Sequence, residues 1–124
     1  MRQRLYVPDV TAGELAQSCP PGTSVVQGEP TAAYTEFGGD GDGDAVADDG
    51  LDIGLWEMTP GIVTDVEQDE CFLVVAGEGS VTFEDGTTLA LRPGTLVQLH
   101  EGERTTWTVI RTLRKVYVAG RIAH

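Results

Sequence analysis

Residues 60–102 read PGIVTDVEQDECFLVVAGEGSVTFEDGTTLALRPGTLVQLHEG. Short runs rich in β-branched and aromatic residues, GIVTDV, CFLVVA, SVTFE, TTLALR and TLVQL, alternate here with turn residues. That rhythm predicts an all-β sandwich or barrel. Within SVTFE, Val81 and Phe83 fall on one face and Ser80, Thr82 and Glu84 on the other, so one face is buried and one is wet. Glu84, Asp85 and Gly86 predict a tight hairpin of the type I′ kind, because such turns need residues that tolerate positive φ. Gly77 and Gly79 bracket a second expected turn, and Pro93-Gly94 a third.

Outward from this stretch the pattern continues. LDIGLWEM, residues 51–58, precedes it, and TTWTVI and RKVYVAG follow. In TTWTVI, Thr105, Trp107 and Val109 oppose Thr106, Thr108 and Ile110. In RKVYVAG, Lys115, Tyr117 and Ala119 oppose Val116 and Val118. The first fifty residues are punctuated by Pro8, Pro20, Pro21 and Pro30 and read as an arm with isolated strands. Thr11 and Glu14 have capping-box spacing and predict a short helix from Thr11 to Ala16. The segment from Gly38 to Gly50 is acidic and lacks apolar periodicity, so it is expected to form a mobile loop. Its Asp40, Asp42 and Asp44 have calcium-loop spacing, but Ala45 replaces the required glycine and Leu51 the bidentate glutamate.

Composition bounds the partners. A chain of 124 residues supplies one core. Eight basic against twenty acidic residues give a net charge of -12, which repels phosphate backbones and argues against nucleic acid. No run of about eighteen apolar residues spans a membrane, and the start lacks the apolar centre of a secretion signal. A cytoplasmic location is expected. Cys19 and Cys71 do not form a disulfide framework, and Cys71, within an apolar run, reads as a buried, inert thiol.

Two spacings in the opening stretch carry a resemblance. Glu70 and Gly77 have six residues between them after Pro60-Gly61, and Gly94 is followed after five residues by His100-Glu101-Gly102. With GLWEMTPG, TTWTV and RKVYV, this resembles the cupin superfamily. More narrowly, these stretches look like a small single-domain subgroup that includes the cupin domains of ureidoglycine aminohydrolases and ethanolamine-utilisation proteins. It covers about Leu51 to Ala119. The family's first motif has His-x-His before the glutamate; here those positions fall on Thr64 and Val66, or on Val63 and Asp65. In the second motif His100 takes the proline position, Thr105 the ligand histidine and Val109 the asparagine. Glu70 alone keeps a metal-ligand position, so a three-histidine, one-carboxylate metal centre is not expected. Asp65, Glu67 and Asp69 with Glu70 are the only oxygen-rich alternative for a divalent ion, and they read as a solvated strand end.

The resemblance implies a single-domain antiparallel β-barrel, or jelly roll, over residues 51–124, with residues 1–50 as an irregular N-terminal arm and acidic loop. It places Glu70 in the lumen, and strand alternation adds Phe72, Val74 and Ala76. Trp107, Lys115 and Tyr117 are the other candidate ligand-binding residues. His100, on a turn at the barrel mouth, completes the available acid-base set. The expected function is a metal-independent small-molecule-binding or accessory protein, with no cofactor, pairing as a homodimer that hides sheet edges. The alternatives are a small enzyme, either a metal-free isomerase or lyase or a divergent ureidoglycine-type hydrolase, and a structural interaction module.

Overall fold

A computed structural model describes residues 4–37 and 52–120. Nine strands build one curled sheet: β1 (Gln17–Cys19), β2 (Ser24–Gln27), β3 (Ala32–Phe37), β4 (Asp52–Met58), β5 (Gly61–Val66), β6 (Glu70–Phe83), β7 (Thr88–Leu91), β8 (Leu96–Leu99) and β9 (Arg104–Ala119). All pairings are antiparallel. The order β1-β3-β4-β9-β5-β2 forms one path, and β6 pairs with β7, β8 and β9. The described residues are all-β, as the sequence predicts.

β6 and β9 organise it. The first half of β9 lies between β5 and the end of β6; its second half lies between β4 and the start of β6. CFLVVA and SVTFE, expected as separate strands, are therefore one 14-residue strand. TTWTVI and RKVYVAG likewise merge into one of 16 residues. Gly77 and Gly79 do not form a turn. They sit where the β6–β9 register shifts repeatedly between Val74 and Gly79, and bulges of this kind bend a strand sharply. Gly77 has φ +96°, and a Cβ there would collide with the Thr112 carbonyl of β9, so glycine is required by both conformation and space. The Pro93-Gly94 turn forms as expected, closed by Thr95 N–H donating to the Arg92 carbonyl.

The hairpin at residues 84–86 differs in type. Gly86 has φ +93° and no non-glycine residue has positive φ among the described residues. A type I′ turn needs two such residues, so this loop instead ends on a single left-handed glycine. Asp85 Oδ1 accepts from Thr87 N–H and fixes the turn.

The expected helix from Thr11 to Ala16 is absent. Asp9 Oδ1 accepts from both the Thr11 N–H and the Thr11 hydroxyl, and this local turn offers the backbone an alternative to helix. The early strands are paired rather than isolated: β1 with β3, β3 with β4 and β2 with β5. Residues 10–13 are tied to the sheet by Arg114, which is buried and donates to the carbonyls of Val10, Ala12 and Gly13 while pairing with Glu57. The segment from Gly38 to Gly50, with its aspartates, lies outside the described residues.

The inner face holds the core: Phe72, Val74, Val81, Leu99, Trp107 and Leu113 are among its buried members. Alternation holds as the sequence predicts, with Thr105, Trp107 and Val109 buried and Ile110 exposed. Cys71 is half-buried on the opposite face, and both thiols are free. No described helix is long and apolar enough to cross a membrane.

Candidate functional site

Three cross-strand rows meet at the open end of the cup. The first is Tyr34, Trp56, Lys115 and Val74; the second Glu36, Gly54, Tyr117 and Phe72; the third Asp52, Ala119 and Glu70. Residues opposite one another on one face have adjacent Cβ atoms, so register alone brings these side chains together. Gly54 is the gap in the second row. A Cβ there would press on the Tyr117 ring and the Thr35 carbonyl, so its absence lets the tyrosine lie across the neighbouring strand.

The rows line a cavity of about 290 Å3, near the lower end of small-molecule pockets, roughly 300 to 1,000 Å3. Depressions of about 320 and 430 Å3 on other faces contain no buried ionisable group. Deep in the 290 Å3 cavity, Lys115 Nζ donates to Glu70 Oε2 at 2.6 Å. The ammonium also lies 4.4 Å from the Phe72 ring centroid, 4.8 Å from Trp56 and 4.9 Å from Trp107. Three rings and one carboxylate thus surround a single cation, which compensates for the water it has lost. The rings pack on one another, Trp107 at 5.6 Å from Phe72 and 5.8 Å from Trp56.

Glu67 is the second buried ionisable group of the cavity. Its Oε2 accepts from the Thr105 hydroxyl at 2.6 Å and from the Trp107 indole N–H at 2.9 Å. Burial pushes its carboxyl above the ordinary value of 4.5, although those two donors and the Lys115 charge pull in the opposite direction. The strand-end acids are therefore not all solvated: Glu67 is 7% exposed. Asp69 instead caps the turn at 100–103, accepting from Glu101 N–H. Tyr117 donates its hydroxyl to Glu36 Oε2 at 3.2 Å, and burial followed by the Glu36 charge pushes its phenol well up, so it remains a donor.

The structure brings together Glu70, Trp107, Lys115 and Tyr117 on the cavity wall. Phe72 lies fully buried behind them. His100 is exposed on the turn after β8 and does not line the cavity. Sequence reasoning missed Glu36, Tyr34 and Asp52, whose positions depend on pairing across the sheet, and it took Glu67 for a solvated residue. It also passed over a visible signal, since Lys115 is the only lysine among the 8 basic residues of the chain. A sole lysine on the inner face of a barrel is not there for solubility.

A cupin metal centre does not fit these residues. Strand alternation puts Val63 and Asp65 inward and Thr64 and Val66 outward, so the inward pair at the His-x-His positions is a valine and an aspartate. Thr105 donates to Glu67, and the Glu70 carboxylate holds an ammonium. Among the described residues no three His, Cys, Asp or Glu side chains group as metal ligands. What the site offers is a carboxylate-rich, aromatic cavity with one buried amine.

Residues 46–117, more than half the chain, match the EutQ-like cupin domain. No curated protein matches the chain in sequence. Among solved structures, the Clostridium difficile EutQ protein is 17% identical with a TM-score of 0.61, over 73% of this chain and 68% of that one. A protein of unknown function from Rhizobium leguminosarum is 23% identical with a TM-score of 0.59, over 73% and 82%. A cupin superfamily protein from Desulfitobacterium hafniense is 12% identical with a TM-score of 0.62, over 98% and 95%. At these identities the likeness concerns the fold.

Proposed function

This chain belongs to the EutQ-like cupin family, and within it we propose a metal-independent protein that binds a small molecule in the cavity bounded by Trp56, Trp107, Tyr117 and Glu70. The observation that carries the reading is the Lys115–Glu70 pair: the one retained ligand position of the motif is engaged by an ammonium from the same chain. Among the described residues, five carboxylates, Glu36, Asp52, Asp65, Glu67 and Glu70, line the cavity against the single cation Lys115, so a neutral or cationic ligand suits its field better than an anion. The rings supply stacking area, while Glu70, Lys115 and the Tyr117 hydroxyl supply polar anchors.

A homodimer is part of the same reading. Leu55, Val116, Leu73 and Leu96 form one register row on the outer face, and Leu73 and Leu96 remain exposed. Pairing of two such faces would cover them. The two free thiols suit a reducing, cytoplasmic setting.

The test is a thermal-shift screen of neutral, cationic and anionic small molecules, with hits remeasured by calorimetry on Glu70→Gln. A cavity ligand should lose about 1.5 to 3 kcal/mol of affinity on that change, the range for a charge-assisted hydrogen bond. Unchanged affinity for every hit would refute the cavity as the binding site. Stoichiometric transition metal remaining after dialysis would refute metal independence, and a monomer at micromolar concentration in sedimentation would refute the dimer.

A further inference from the structure

Resting on the cavity as a ligand site, we infer that Lys115 is a carbonyl-capturing amine, which forms a reversible imine with a small uncharged aldehyde or ketone held in the cavity walled by Trp56, Trp107 and Tyr117. The arrangement contains what that chemistry needs. The amine lines the cavity, and its carboxylate neighbour Glu70, 2.6 Å away, is placed to take a proton from it. A second carboxylate, Glu67, lines the same space and feels the Lys115 charge. Because burial raises its proton affinity, Glu67 holds a proton more readily than an exposed glutamate. The gain over a free amine comes from position: a carboxylate base is held against Nζ in the same cavity that would hold the carbonyl compound.

The step balances without any further reactant. The ammonium passes one proton to Glu70, and the freed nitrogen lone pair forms the N–C bond as the C=O π pair moves onto oxygen. A proton moves by way of a carboxylate from that nitrogen, now four-bonded, to the oxygen and gives a neutral carbinolamine with a lone pair on nitrogen. Glu70 returns the first proton to the hydroxyl, the C–O bond breaks as the nitrogen lone pair forms C=N, and water departs. Of the three protons first on nitrogen, two leave in the water and one stays on the iminium. The two carboxylates relay those protons and return to their starting states.

Charge explains why the cage suits the product as well as the resting amine. The iminium carries the same single positive charge in the same place, so Glu70 and the three rings stabilise it as they do the ammonium. The remaining wall carboxylates disfavour carbonyl compounds bearing carboxylate or phosphate. The cavity of about 290 Å3 restricts the partner to a small molecule.

The uniqueness of Lys115 makes the experiment clean, because the chain has only one other kind of primary amine, its terminal α-amine. Folded protein at neutral pH is treated with propanal and cyanoborohydride, which reduces imines as they form, and the propyl groups are located by peptide mass mapping. An ordinary lysine reacts more slowly than an α-amine at this pH, since more of it is protonated. We expect Lys115 to be alkylated at least about tenfold faster than the α-amine, and Glu70→Gln to slow it by a similar factor. Lys115→Arg should confine the label to the α-amine, and glyoxylate, an anionic aldehyde, should label Lys115 more slowly than propanal. If Lys115 in the folded protein is labelled no faster than the α-amine, or only after unfolding in guanidinium, the inference is wrong. This ratio is read on wild-type protein and does not depend on any variant folding. A protected Lys115 together with a non-carbonyl ligand whose affinity falls in Glu70→Gln would overturn the imine while leaving the binding reading intact. Absence of any ligand, with Lys115 still protected, would overturn both.

Discussion

The ammonium of Lys115 lies 2.6 Å from the carboxylate of Glu70, and both side chains are largely withdrawn from water, at 7% and 18% exposed. The two residues are 45 positions apart, on strands that pair along most of their length. Because Lys115 pairs with Val74 and Glu70 with Ala119, they are not directly opposite, and the long lysine chain reaches diagonally along the inner face. A pair of this kind ties the lumen to the β6–β9 ladder that holds the fold together.

Breaking the pair from one side should cost more than removing it altogether. Lys115→Met leaves the Glu70 carboxylate unpaired among the aromatic rings and the other wall carboxylates and should destabilise the fold by about 2 to 4 kcal/mol, a little under the full cost for a completely buried charge. The double variant Lys115→Met, Glu70→Gln should recover at least about 1 kcal/mol of that loss. Urea denaturation of the wild type, both single variants and the double variant closes the cycle. Additive losses would mean that the two groups do not interact in solution.

Gly77 and Gly86 separate conformational strain from collision. Their φ values are +96° and +93°, but only Gly77 has neighbouring backbone where a Cβ would go. Gly86→Ala should cost about 1 to 2 kcal/mol, the penalty of a left-handed alanine. Gly77→Ala adds displacement of β9 and should lose at least about 1 kcal/mol more. Equal losses in denaturant titrations would show that the β6–β9 approach is looser than described.

What was legible in the sequence and what was not follow from one physical division. Alternation is local, so the inward set of Glu70, Phe72 and Val74 and the opposition of Trp107 to Thr106 can be read directly from residue order. Lys115 could be assigned the face of Tyr117 on the same ground. Continuity of β6 through Gly77 could not, because glycine in a turn and glycine at a bulge look alike until the Thr112 carbonyl is known to be nearby. Glu67 was misjudged for a similar reason. Its neighbours Asp65, Gln68 and Asp69 are polar, while the groups that bury and satisfy it, Thr105 and Trp107, come from 38 and 40 positions away. The pairing of the early strands with β4 and β5 also depends on distant partners, which local apolar runs such as SVV do not name.

Arg114 should be the main attachment of the N-terminal segment. It donates to three backbone carbonyls within residues 10–13 and pairs with Glu57 at 2.9 Å. Arg114→Ala strands those acceptors and should cost about 2 to 4 kcal/mol. Arg114→Lys cannot reproduce the planar fork and should recover less than half of the loss. Limited proteolysis gives a second readout, with cleavage before Gln17 accelerating in both variants. An unchanged cleavage rate would show that the segment is held elsewhere.

The last prediction concerns Glu67 and pH. Its carboxyl is raised above the ordinary value of 4.5 in the fold, chiefly by burial, so the native state binds its proton more tightly than the unfolded chain does. The linkage then has a definite sign: the contribution of Glu67 to stability is fully present below the unfolded value and is lost as pH rises through the folded one. Gln is nearly isosteric, and its amide oxygen can still accept from the Thr105 hydroxyl and the Trp107 indole. Glu67→Gln therefore keeps both hydrogen bonds and removes the titration. The stability of the variant relative to wild type should rise from pH 4.5 upward and level off once wild-type Glu67 is fully ionised, and the difference between the two proteins isolates this one group from the many exposed acids. Urea titrations at a series of pH values provide the measurement. A relative stability that falls with rising pH would mean that the Thr105, Trp107 and Lys115 interactions outweigh burial, and that Glu67 is held as a carboxylate throughout.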